Sequence, residues 1–203
     1  MIRAILFDFG GVLATEGFRE GLREIGRKNG LDPDRFFSEA TELVFETGYV
    51  TGMATEQEYW EAVRRKTGIK GDDDSLRKEL MERFSLDRDL LRFADRLRLK
   101  GYTTGILSDQ TNWLDEINEK EDIFSHFDHV FNSYHLHKSK RDPSVFTDVA
   151  EKLGLRPAEI LFVDDNEGNI KRAESTGMKG YLYNRNAGDI LRLWKILNPY
   201  GHS

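Results

Sequence analysis

Five oxygen-bearing side chains follow three short apolar segments of the chain. They are Asp8 after the first segment, Ser108 and Asp109 after the second, and Asp164 and Asp165 after the third. If such carboxylates converge, they repel one another unless a cation lies among them. The chain contains no cysteine, and carboxylate and carbonyl oxygens are ligands typical of Mg²⁺. Because Mg²⁺ in proteins commonly binds phosphate oxygens as well, the pattern predicts a phosphate-handling metal site.

The three apolar segments that precede these residues predict buried parallel strands. They comprise residues 2–7, 102–107 and 160–163, and their runs are nearly continuous in apolar residues, as expected for strands covered on both faces. Helices are predicted over 144–153 and over 167–176, where Gly177 ends the second one. This alternation predicts an α/β fold with a doubly wound parallel sheet, in which ligands bind at the carboxyl ends of the strands.

A long insertion is predicted between the first two strands. Asp8 and Ser108 lie 100 positions apart, whereas a crossover between parallel strands needs only about a dozen residues or more. Helices are predicted over 18–29, 33–47, 56–67 and 76–84, with Asp32 as an N-cap and Thr55 and Glu58 spaced as a capping box. We therefore predict an α/β core of residues 1–14 and 91–203 and an all-helical insertion of residues 15–90.

Phosphate chemistry also requires a cation that neutralises the charge developing on a transferred phosphoryl group. Lys140 is the leading candidate, because it lies just ahead of the helix that begins near Asp142 and Pro143. Lys138 and Arg141 are its competitors.

Taken in chain order, these motifs resemble those of the haloacid dehalogenase-like (HAD) hydrolase superfamily, and the resemblance covers the entire chain. The matching segments are Phe7-Asp8-Phe9-Gly10-Gly11-Val12-Leu13, Leu107-Ser108-Asp109, Lys140-Arg141-Asp142-Pro143, and Phe162-Val163-Asp164-Asp165-Asn166 continuing to Asn169. The helical insertion is similar to the family's first type of cap domain, and the core to its Rossmann-like core. The resemblance implies a Mg²⁺-dependent hydrolase, with a phosphatase for a small phosphorylated metabolite as the leading expectation and a sugar phosphate as one candidate.

The resemblance also implies a role for each matching residue. The expected catalytic residues are Asp8, as the nucleophile that becomes an aspartyl-phosphate, and Lys140. The expected phosphate-binding residues are Ser108, Asp109 and Lys140. The expected metal ligands are Asp8, Asp164, Asp165 and the backbone carbonyl of Gly10, with Asn169 orienting the metal shell.

The sequence departs from the phosphatase pattern at Gly10. Phosphatases of this superfamily usually carry an aspartate there, which serves as acid to the leaving group and as base to water. Loss of such a group typically costs about 10²–10⁴ in rate. Asp109 and Glu16 are candidate substitutes, although Asp109 could instead cap the next helix near residues 110–113. His135 and His137, in a polar loop, are expected to face solvent.

Two other functions remain open. A catalytically weak phosphate-binding or regulatory protein would follow from the missing acid, and a haloacid dehalogenase would use the same nucleophile on carbon but would not need a divalent cation.

The net charge of −6 argues against nucleic-acid binding, and no apolar run predicts a membrane span or a signal peptide. We expect a cytoplasmic protein; the sequence predicts no oligomeric state.

Overall fold

A five-stranded parallel sheet forms the centre of the structure, a computed structural model that describes residues 1–185 and 188–197. The strands are β1 (Ala4–Phe7), β2 (Thr103–Ser108), β3 (His129–Asn132), β4 (Ile160–Asp164) and β5 (Lys179–Leu182). Their order across the sheet is β3-β2-β1-β4-β5, and all neighbouring pairs are parallel. The strand carrying Asp8 is therefore central.

Helices lie between consecutive strands, and one further helix follows β5 in the described chain. They are α1 (Gly17–Lys28), α2 (Pro33–Glu46), α3 (Glu56–Thr67), α4 (Asp73–Met81), α5 (Arg88–Leu99), α6 (Trp113–Glu121), α7 (Ser133–Leu136), α8 (Ser144–Lys152), α9 (Glu167–Ser175) and α10 (Ile190–Leu197). Among the described residues, no helix is both long enough and apolar enough to cross a membrane.

The sheet is covered on both faces. Phe7 of β1 packs in a cluster with residues of α5, α6 and α10, whereas its neighbour Leu6 belongs to a second cluster with residues of α8 and α9. The two clusters follow from the alternation of side chains along a strand, which places successive residues on opposite faces. The predicted α/β fold with a doubly wound parallel sheet is confirmed.

The helices α1–α4 lie between β1 and β2 and share a third apolar cluster rich in aromatic residues. Trp113 of α6 is buried in that cluster, and its indole Nε1 donates a hydrogen bond to Glu56 Oε2 at 2.9 Å. Next to it, the Tyr49 hydroxyl donates to Asn112 Oδ1 at 2.7 Å. These contacts attach the helical layer to the start of α6. The predicted limits of the insertion, residues 15 and 90, stay a prediction.

Several local predictions are confirmed and others need correction. The capping box of Thr55 and Glu58 is present, and Asp32 caps α2. The predicted helix over 76–84 instead spans Asp73–Met81, because the Asp72 side chain accepts a hydrogen bond from the backbone N–H of Ser75 and so caps the helix earlier. Strands β3 and β5 were not predicted; each has four residues and is partly exposed.

Replacement of Trp113 tests the attachment of the helical layer. Trp113→Ala removes a buried side chain and the indole donor to Glu56 Oε2, so we expect the free energy of unfolding to fall by about 3–5 kcal/mol. Chemical denaturation measures this change. Trp194→Ala is the matched control, because Trp194 on α10 is only partly buried and lies in another cluster. Equal losses of stability from the two substitutions would contradict the role of Trp113 in attaching the helical layer.

Candidate active site

The strand register brings the polar residues of three strands to one edge of the sheet. Phe7 pairs with Ile106 on one side and with Val163 on the other. Asp8 therefore lies level with Asp164 and beside Ser108. The carboxyl ends of neighbouring parallel strands meet at this edge, where ligands bind in open α/β sheets.

The Asp8 carboxylate is nearly buried, with 8% of the residue exposed. Its Oδ1 atom accepts hydrogen bonds from the Ser108 hydroxyl at 2.6 Å and from the backbone N–H of Phe9 at 2.8 Å, and it lies 2.9 Å from Lys140 Nζ. Burial raises the pKa of Asp8, and the neighbouring Lys140 ammonium and the Ser108 hydroxyl act in the opposite direction. Three donors thus fix the orientation of this carboxylate.

Lys140 is buried between two carboxylates. Its Nζ atom lies 2.7 Å from Asp164 Oδ2 and 2.9 Å from Asp8 Oδ1, and the residue is 2% exposed. Burial disfavours the ammonium form, but the adjacent carboxylates outweigh that effect and raise the pKa of Lys140. The Lys140 backbone is fixed as well: its N–H donates to Asp109 Oδ1 at 2.8 Å, and its carbonyl accepts from Arg172 Nε at 2.7 Å.

The carboxylates of Asp8, Asp164 and Asp165 are close enough to share a cation, since one oxygen of each lies within 4.8 Å of the others. Asn169 Nδ2 donates to both oxygens of Asp164, at 3.2 and 3.0 Å. Burial, and then the neighbouring Glu16 carboxyl, raise the pKa of Asp165. Converging oxygen ligands whose charges repel one another suit Mg²⁺, so the residues fit the predicted metal.

Two adjacent glycines shape this site differently. Gly11 has a φ of +76°, and a Cβ there would overlap with the Asp165 carboxylate. At Gly10 a Cβ would meet no heavy atom closer than Gln110 Nε2, at 3.8 Å. Gly11 is therefore required by the close approach of Asp165, whereas Gly10 leaves room for a larger side chain.

The competitors of Lys140 are engaged elsewhere. Lys138 binds Asp148 and Ser144, and Arg141 forms a two-point ion pair with Glu42, so both side chains are paired away from the two central carboxylates.

The two candidate substitutes for the missing acid, Asp109 and Glu16, have different partners in the structure. Asp109 does not cap the next helix: its carboxylate accepts from the Lys140 backbone, α6 begins only at Trp113, and that alternative is wrong. Glu16 lies against Asp165. As expected, His135 and His137 are exposed.

A cavity of about 370 Å³ opens above these residues. Asp8, Lys140 and Asp165 line it from the sheet edge, whereas Phe37 of α2 and Arg19 of α1 line it from the helical layer. Sequence reasoning missed the contribution of Arg19 and Gln110. No motif in the helical segments indicates which of their faces points towards the sheet edge.

The family model for haloacid dehalogenase-like hydrolases matches residues 2–177 of the chain. The chain belongs to this hydrolase family. That membership agrees with the order of the motifs and with the parallel sheet.

The chain is also similar to individual proteins of known sequence or structure. The chain is 29% identical over 223 aligned residues to bifunctional epoxide hydrolase 2 of Rattus norvegicus, with 96% of this chain but only 39% of the relative covered. It is 28% identical to a phosphatase of Mycobacterium tuberculosis, with 91% of this chain and 88% of that protein covered. A HAD family enzyme from Bacteroides thetaiotaomicron, crystallised with magnesium and inorganic phosphate, superposes with a TM-score of 0.71 at 25% identity, over 89% of this chain and 93% of that one.

Two glycine substitutions distinguish the energetic cost of backbone strain from the cost of displacing Asp165. Gly30→Ala places a Cβ in open space at a φ of +71°, so we expect a loss of about 1–2 kcal/mol in the free energy of unfolding. Gly11→Ala imposes the same strain and also displaces Asp165, so its loss should be larger. Chemical denaturation of both variants measures the difference, and a Gly11→Ala variant as stable as Gly30→Ala would refute the packing argument.

Proposed function

We propose that the protein is a Mg²⁺-dependent phosphatase for a small phosphorylated metabolite, with Asp8 as its nucleophile. The observation that carries this proposal is the geometry of the Asp8 carboxylate, which Lys140, Ser108 and a backbone N–H orient at the floor of a cavity. A nucleophile fixed in this way needs little reorganisation before it attacks. The phosphatase among the relatives and the phosphate-bound structure support the choice of substrate.

The metal would be bound by Asp8, Asp164, Asp165 and the carbonyl of Gly10, with Asn169 orienting Asp164. When bound, Mg²⁺ supplies positive charge that lets an anionic nucleophile and an anionic substrate approach each other. The acidic cluster also argues against the dehalogenase alternative, because carbon–halogen hydrolysis has no use for a divalent cation among three carboxylates.

In the proposed reaction, an Asp8 oxygen attacks phosphorus and the bond from phosphorus to the leaving oxygen breaks. Lys140 donates a hydrogen bond to a phosphoryl oxygen, on which negative charge accumulates, and the Ser108 hydroxyl turns from Asp8 to donate to another. Water then attacks the phosphorus of the aspartyl-phosphate, which releases inorganic phosphate and restores the Asp8 carboxylate. Two easier displacements thus replace one difficult displacement.

The leaving group receives no proton from position 10, because Gly10 has no side chain. Asp109 is committed to the Lys140 backbone, as its hydrogen bond at 2.8 Å indicates. Substrates whose leaving groups depart as stable anions, such as anomeric sugar phosphates or acyl phosphates, therefore need this acid least. A protein that binds phosphorylated ligands with little turnover is the alternative function.

We further propose that residues 15–90 act as a cap domain over the core of residues 1–14 and 91–203. The proposal is supported by the cavity, whose walls include Phe37 and Arg19 from the inserted helices. A cap of this kind would exclude water and select the substrate.

Asp8→Asn tests the nucleophile. An amide cannot form the acyl-phosphate, so we expect Mg²⁺-dependent hydrolysis of p-nitrophenyl phosphate to fall by about 10³-fold or more. The control is Asp89→Asn, at an exposed carboxylate on α5, which should retain the native rate. A spectrophotometric assay with and without a chelator makes the measurement. Activity that survives in Asp8→Asn would overturn the proposed mechanism.

Gly10→Asp tests whether the missing acid limits the rate. The open space at Gly10 accommodates the side chain, and a restored general acid should raise kcat by about 10²-fold for a poor leaving group such as phenol. For p-nitrophenol the gain should be much smaller. The comparison of phenyl phosphate with p-nitrophenyl phosphate checks this expectation. An equal effect on the two substrates would show that proton donation does not limit the native enzyme.

A further inference from the structure

Four basic residues line the cavity in the part of the chain that the structure describes, and two of them belong to its floor. They are Lys140, whose ammonium lies between Asp8 and Asp164, and Arg172. The Arg172 guanidinium donates to the Lys140 carbonyl at 2.7 Å and to Asn169 Oδ1 at 2.6 Å. Both cations therefore already have oxygen acceptors within the protein.

The third basic residue, Arg141, bridges the core and the helical layer. It donates to both carboxylate oxygens of Glu42 on α2, at 2.9 and 2.8 Å, and its guanidinium carbon lies 3.5 Å from the centre of the Phe45 ring. Glu42 raises the pKa of Arg141, and the pKa of Glu42 is lowered in return. This pair neutralises Arg141 and fixes its position.

Arg19, in the first turn of α1, differs from the other three. Its guanidinium lies over the Phe37 ring, 5.2 Å from the ring centre. The side chain is exposed and forms no ion pair among the described residues, and the neighbouring Glu20 pairs with Arg23 instead. The nearby Glu16 carboxyl is directed towards Asp165 instead. Arg19 is thus a positioned cation that faces the cavity without an anionic partner.

We propose that Arg19 binds a second anionic group of the substrate, so that the substrate class is a phosphate monoester with a carboxylate or similar oxyanion at its far end. This inference rests on the proposed phosphatase function. Lys140 and the metal site take the phosphate at the sheet edge, and the planar guanidinium provides paired N–H donors for an oxyanion at the wall that the helical layer forms. Partly buried rings of Phe18 and Phe37 lie along the wall and pack against the carbon frame.

A matched pair of aryl phosphates tests this assignment. 4-Carboxyphenyl phosphate and 4-carbamoylphenyl phosphate share a ring and a planar para substituent, but only the first carries an anionic group besides the phosphate. We expect the native protein with Mg²⁺ to show a KM about fivefold lower for the carboxylate, as an exposed ion pair allows. Arg19→Gln should remove this preference by raising the KM of the carboxylate to that of the amide. Arg27→Gln, at an exposed arginine on the last turn of α1, should preserve it.

Binding to the Asp8→Asn variant separates this inference from the proposed function. Calorimetry on Asp8→Asn should give the same preference for the carboxylate, and Asp8→Asn combined with Arg19→Gln should lose it. Equal affinities for the two probes without the Arg19 substitution, or a preference that persists in Arg19→Gln, would overturn the role of Arg19. Hydrolysis that survives in Asp8→Asn would instead refute Asp8 as the nucleophile. The ratio of the two probe affinities would still show whether Arg19 binds the carboxylate.

Discussion

Lys140 is the cation on which the arrangement of the strand ends depends. Asp8 and Asp164 come from neighbouring strands and are almost completely buried, so their charges would repel strongly in the low dielectric of the interior. The Lys140 ammonium, 2.9 and 2.7 Å from the two carboxylates, compensates them. Removing one member of such a buried set typically costs about 3–5 kcal/mol, because the remaining charges stay uncompensated. The same cation orients the proposed nucleophile, so stability and chemistry share one interaction.

The loop that carries Lys140 is fixed from several directions. Asp109 accepts from its N–H, Arg172 donates to its carbonyl, and the adjacent Arg141 reaches across to Glu42 on α2. The position of this loop is therefore coupled to the helical layer. Trp113 provides a second connection, between that layer and α6. The cavity walls and its floor are thereby parts of one packed arrangement.

Much of the core and of the proposed site could be predicted from the sequence. Strands β1, β2 and β4 are continuous apolar runs that end in Asp8, Ser108 and Asp164, and parallel pairing necessarily brings such ends together. The choice of Lys140 over Lys138 and Arg141 could not be decided from spacing, because all three precede the same helix. Only the tertiary partners of the competitors, Asp148 and Glu42, distinguish them. Similarly, no sequence pattern tells which residues of α1 and α2 face the cavity.

In the proposed mechanism, Asp8 attacks phosphorus and forms a covalent intermediate. The most direct measurement is the stereochemistry at phosphorus when a phosphorothioate monoester made chiral with two oxygen isotopes is hydrolysed in water that supplies the third isotope, so that the released thiophosphate is chiral. Each in-line displacement inverts the configuration at phosphorus, so two successive displacements through Asp8 predict overall retention. Overall inversion would show that water attacks the substrate directly, and would contradict a covalent intermediate on Asp8.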